Sequence, residues 1–218
     1  MRSTFGSEAH IMSKQRIEAF SDNVFAVILT ILVLDIHPPH WAFEADKMAA
    51  TLLDRIPNIL TYVMSFTVVT SWWVSHHQLF HLIRASDRML LWINALFLLF
   101  LSFTPFPTAL LGTHPTSSLA IAVYGLTGML TAFSFILLRW YASFRGHIVG
   151  NDLARPVFSK AIQKGSLSLI LYGLASLCGI WVPWLSLMIF AGIPIFYFFN
   201  GLLGTSPIPT ENAQRSPK

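Results

Sequence analysis

Asp22 and Asp35 bracket a run of only twelve residues, Asn23-Val24-Phe25-Ala26-Val27-Ile28-Leu29-Thr30-Ile31-Leu32-Val33-Leu34. Carboxylates at both ends of so apolar a stretch suit two kinds of chemistry. They concentrate cations at the mouths of a water-filled path, or they relay protons together with nearby imidazoles. The structural alternative is that Ser21, Asp22 and Asn23 only cap a helix and staple it to its neighbours. Within the run, Asn23, Val27, Ile31 and Leu34 stand at i, i+4, i+8 and i+11 and share one helical stripe, with Thr30 beside it. A polar entrance followed by rings of branched apolar side chains is what a narrow pore wall needs when several copies face one axis. Such rings gate by dewetting and make an ion shed part of its hydration shell. The same spacing also suits a buried packing stripe. Downstream, His76, His77 and His81 cluster, and the last two have the i, i+4 spacing of a shared metal. Structural hydrogen bonding, metal or haem ligation and pH sensing are all open to them.

These groups need elements to hold them, and the composition says in what solvent. The chain has 218 residues, 54% of them hydrophobic and 11% charged, with 18 Phe and 7 Trp. A soluble domain carries about 25% charged residues. The deficit excludes an ordinary cytosolic enzyme, a disordered regulator and a nucleic-acid binder, and points to lipid as the solvent. Six segments approach the roughly 20 apolar residues that an α-helical span needs. They are Arg16–Ile36, Lys47–His81, Arg88–Leu111, Ser118–Tyr141, Lys160–Val182 and Trp184–Leu203, with Pro183 punctuating a tight last hairpin. Residues 1–15 read as a cytoplasmic segment without a removable signal peptide. Residues 16–204 form the membrane domain, and 205–218 a disordered tail. Alternating strand patterning is absent, which disfavours a barrel. The single Cys178 allows no intrachain disulfide and no thiolate metal site. No P-loop, H-E-x-x-H or G-x-S-x-G motif occurs, so no catalytic residue is assigned and the chain is not read as an enzyme.

Charge placement orients the spans. The net charge is +4. With six spans, twelve basic residues (Arg2, Lys14, Arg16, Arg84, Arg88, Arg139, Arg145, Arg155, Lys160, Lys164, Arg215 and Lys218) fall on the side of both termini. Only Lys47 and Arg55 fall on the other, so both termini are expected in the cytoplasm. Asp35, with Glu44 and Asp46, would form an acidic outer mouth. Arg145, Arg155, Lys160 and Lys164 would face anionic lipid headgroups. Trp72, Trp73 and Trp92 read as belt or packing residues. A Ser-Leu/Tyr-Gly-Leu echo at Ser118/Tyr124 and Ser166/Tyr172 reads as chance or as an inverted repeat.

Arg16-x-x-x-Phe20-Ser21-Asp22 resembles the RxxxFSD signature that opens the first helix in the transmembrane protein 175 family, the endosomal and lysosomal potassium channels and their prokaryotic relatives. The resemblance extends to Trp73 and His76-His77, to Asn94, and to Ser102–Thr108. It implies a homotetramer of six-helix subunits whose first helices line a central pore, with no re-entrant filter loop and no cofactor beyond the permeant potassium ion. It places the principal constriction on Val27, further rings on Ile31 and Leu34, and a pore-facing threonine on Thr30. Val27 is shorter than the family's more familiar Ile or Leu, which widens that ring. Arg16, Phe20, Ser21 and Asp22 become packing and gating support, with His77 and Asn94 the expected partners of Asp22. Asn23 and Asp35 become the two pore entrances.

The combined expectation is an all-α, multi-pass protein of the inner or plasma membrane. It would conduct potassium passively as a homotetramer, and its partners would be its own copies, lipids and monovalent cations. Two other classes remain: a proton-coupled secondary transporter using Asp22 with His76, His77 and His81, and a membrane-embedded haem or metal redox protein.

Overall fold

A computed structural model describes residues 14–34, 36, 53–144 and 154–203, all helix or short connections, with no strand among them. We number the helices α1 (Lys14–Leu34), α2 (Ile56–Leu82), α3 (Arg88–Ser102), α4 (Pro105–Thr113), α5 (Ser118–Phe144), α6 (Ala154–Cys178) and α7 (Pro183–Leu203). The N-terminal segment, the tail, Asp35, Glu44 and Asp46 lie outside the described residues. Three stretches are long and apolar enough to cross a membrane: α1, α3 with α4, and α5. The apolar parts of α6 and α7 are shorter, Gly165–Cys178 and Pro183–Phe199.

Local chemistry sets the helix ends. Asp87 caps α3 by accepting the Leu90 N–H at 2.8 Å, and its other oxygen accepts from the Tyr141 hydroxyl of α5 at 2.6 Å. This ties two helix ends together. The third expected segment is two helices rather than one. Neither Pro105 nor Pro107 has an N–H to donate, so the chain closes short turns instead, Thr104 N–H to Leu101 O at 3.0 Å and Phe106 N–H to Phe103 O at 3.2 Å. The last hairpin turns at Gly179 because α5 passes close by. A Cβ there would meet Ile121 Cγ2 at 2.4 Å. Ser118 donates to the Gly179 carbonyl at 3.2 Å, and Ser186 donates to that of Ala175 at 2.6 Å.

The helices pack around α2 and α5. An aromatic core joins four of them: Phe97 of α3 lies 6.2 Å from Phe25 of α1, 6.1 Å from Trp72 of α2 and 4.9 Å from Phe135 of α5, between ring centres. A hydroxyl chain, Thr108 to Ser65 at 2.8 Å and Ser65 with Tyr124 at 3.1 Å, joins α4, α2 and α5. The two echoed tyrosines, Tyr124 and Tyr172, lie on the neighbouring helices α5 and α6, and both rings meet Phe190 of α7. Packed against α2, α3 and α4, α1 sits at the margin of the bundle.

Candidate pore-lining face of the first helix

The two faces of α1 differ in fate. Ile17, Ser21, Phe25, Ile28 and Leu32 are buried, at the i, i+4, i+8, i+11 and i+15 positions of one stripe. Roughly opposite, Arg16, Phe20, Asn23, Val27, Thr30, Ile31 and Leu34 are exposed within the subunit. Val27 is 54% accessible, Ile31 41% and Leu34 66%. At 1.5 Å per residue, Val27 and Ile31 are about 6 Å apart along the axis, and Ile31 and Leu34 about 4.5 Å. Thr30 turns its hydroxyl back to the Val27 carbonyl at 2.8 Å. That bond satisfies the donor locally and leaves the oxygen's remaining acceptor capacity on the open face.

Behind the stripe a polar network fixes the helix. Ser21 donates to its own Ile17 carbonyl at 2.9 Å and accepts from the Asn94 amide nitrogen of α3 at 3.0 Å. With that nitrogen engaged, the Asn94 oxygen accepts, and His76 Nε2–H donates to it at 2.9 Å. His76 is fully buried, stacked on Phe80 with ring centres 4.4 Å apart. Asp22, one residue on from Ser21, accepts from Trp73 Nε1–H of α2 at 3.0 Å. His77 Nδ1 lies 3.5 Å from Glu18 Oε1.

This geometry corrects the expected partners of Asp22. His77 pairs with Glu18, and Asn94 serves Ser21 and His76, while Trp73 holds Asp22. The cause is helical phase: adjacent residues point about 100° apart, so Ser21 and Asp22 address different neighbours. Arg16 and Phe20, expected as packing support, stand on the open face of the subunit, with Phe20 56% accessible. Trp72 is core, Trp73 is the Asp22 ligand, and Trp92 is exposed. The buried imidazole is that of His76, which sequence reasoning placed in the cluster without singling it out. It shares its phase on α2 with Trp72, Leu79 and Phe80, all buried, a face that the mixed composition of α2 does not mark in the sequence. Among the described residues no three His, Cys, Asp or Glu side chains converge as metal ligands.

Comparison with known proteins gives a consistent result. Residues 16–105 match the family described as endosomal/lysosomal potassium channel TMEM175. A potassium channel of Streptomyces collinus is 33% identical over 203 residues, covering 91% of this chain and 96% of that protein. A potassium channel of a Chryseobacterium species is 30% identical over 207 residues, covering 95% and 99%. The crystal structure of a lysosomal potassium-selective channel TMEM175 homolog from Chamaesiphon minutus superposes with a TM-score of 0.76 at 31% identity, over 86% of this chain and 97% of that one.

Proposed function

The chain belongs to the TMEM175 family, and on that premise we propose that it is a potassium-permeable cation channel whose pore wall is the open face of α1. The observation that carries this reading is the division of α1 into a buried stripe and an exposed stripe running from Arg16 through Asn23 to Val27, Ile31 and Leu34. If that face met lipid, the Asn23 amide, about 13 Å along the helix, would lie in hydrocarbon. An unpaired amide there costs about 4–8 kcal/mol. Facing a shared axis, it meets water instead.

In the full reading, six spans per subunit place both termini in the cytoplasm of a cell-membrane protein, and four subunits surround the axis. Asn23 hydrates the ion at the inner entrance, and Asp35 draws cations to the outer mouth. Val27, Ile31 and Leu34 form successive apolar rings, with Thr30 between them. Conduction is passive electrodiffusion and needs no cofactor. The Ser21–Asn94–His76 and Asp22–Trp73 contacts hold α1 at the rotation that aims these rings at the axis. A proton relay from Asp22 through the histidines is less well supported, since His76 is bonded to Asn94 and His77 pairs with Glu18.

Single-channel recording in planar bilayers under bi-ionic potassium and sodium gradients tests the reading. Val27→Ala and Val27→Asn raise unitary conductance and lower the potassium-to-sodium permeability ratio. Unchanged permeation in both variants would remove Val27 from the pore. Saturating flux without unitary steps would favour a transporter.

A further inference from the structure

We propose that Glu18 of α1, with His77 and His81 of α2, forms a binding site for one transition-metal dication of the zinc class. The two helices meet here near their ends. Glu18 stands four residues after the start of α1 at Lys14, about 6 Å along it, and His77 five residues before the end of α2 at Leu82, about 7.5 Å. His77 Nδ1 lies 3.5 Å from Glu18 Oε1. That separation exceeds the roughly 2.7–3.2 Å of a hydrogen bond. It is close to the edge between two ligands of a tetrahedral ion, about 3.3 Å for metal–ligand bonds of about 2.0–2.1 Å.

The third donor is His81, which follows His77 at i+4 and is likewise exposed. Residues so spaced are neighbours on one helix face, with Cβ atoms about 5–6 Å apart, and two imidazoles at this spacing can share one zinc ion. As the side chains stand, Glu18 and His77 have met and no third ligand has joined them. A rotamer change of the exposed His81, a motion of picoseconds to nanoseconds, brings its ring to the pair.

The local charges suit a dication. Asp22 lies one turn after Glu18 and is held by Trp73 Nε1–H at 3.0 Å, so it adds negative charge without taking a ligand position. Lys14, one turn before Glu18, opposes with a single positive charge. The His77 side chain is 58% exposed and that of Glu18 24%, which leaves the pair open to an ion arriving from water. Two imidazoles and a carboxylate are a donor set for zinc rather than for calcium or magnesium, which take oxygen ligands. Nine residues, two and a half helical turns, separate Glu18 from Val27, so the site lies on the far side of α1 from the open stripe. It does not depend on that stripe lining a pore.

The test uses the full-length protein without a purification tag. Zinc chloride is titrated into it in detergent micelles and the heat followed, and crystals grown with zinc are examined for anomalous scattering at the zinc edge. The expected result is saturable binding with a zinc peak between Glu18 Oε1 and His77 Nδ1. His77→Ala, Glu18→Gln and His81→Ala each weaken that binding about tenfold or more, while His114→Ala, at the end of α4, leaves it unchanged. All three ligand positions are open or half-open, so the variants keep the wild-type melting temperature in the presence of a chelator, which separates lost binding from lost fold. Two results overturn the proposal: zinc does not bind saturably, or it binds His77→Ala and Glu18→Gln as tightly as wild type. Zinc held only by other histidines gives the second of these.

Discussion

Helices α1 and α5 are alike in apolar composition, yet 28% of an apolar stretch of α1 is buried within the subunit against 50% for α5. In α5 small residues let a neighbour close in: a Cβ at Gly128 would meet the Tyr172 ring at 2.5 Å, and one at Gly125 would overlap Ser176. In α1 one stripe is sealed by Phe97, Asn94 and their neighbours, and the other stands exposed among the described residues. Composition marks both as membrane helices. Packing separates the one largely closed over by its own bundle from the one left with an open face.

The contrast breaks most readily at α5. Gly128→Val drives a branched side chain into the Tyr172 ring and is expected to cost about 3 kcal/mol, read as loss of monodisperse protein or a steep fall in melting temperature. A wild-type melting curve would mean that α5 and α6 are not closed against each other. Next comes the sealed stripe of α1. Asn94→Leu leaves the Ser21 acceptor and His76 donor unpaired, at a cost of about 1–2 kcal/mol, measurable by denaturation in micelles. No loss would mean that water or lipid replaces the amide. On the open stripe, Ile31→Cys in a Cys178→Ser background is expected to cross-link subunits on mild oxidation with little change in stability. Monomers alone on a non-reducing gel would turn that face towards lipid. Smallest of all is the stability effect of Val27→Ala, expected within about 0.5 kcal/mol of wild type, although the same change alters conduction. A large destabilisation would assign Val27 to packing.

Much of this was legible in the residues themselves. The phase of α1, the signature at Arg16–Asp22 and the stripe from Asn23 to Leu34 follow from spacing and resemblance, and the stripe does stand on one open face. The rotation of one helix against another was not legible. Whether His76 or His77 turns inward depends on how α2 sits on α3, and the periodicity of α2 alone is too weak to say because Ser, Thr and Val occupy both of its faces. The break after Ser102 was visible as Pro105 and Pro107 but not as two helices, because a proline can also lie inside a continuous helix, as Pro194 does in α7. The fit of Tyr172 against Gly128 joins residues far apart in the chain, and no local pattern announces it.

The hydrogen bond from Ser21 to the Ile17 carbonyl has a consequence in time. Asn94 follows Ser21 by 73 residues, so at roughly 5–20 residues per second of synthesis the serine precedes its amide partner by about 4–15 s. Throughout that interval its proton is already bonded within its own turn, and only a lone pair waits. The first helix thus enters the bilayer with its donor satisfied, and the later-made α3 completes a bond rather than rescuing a stranded group.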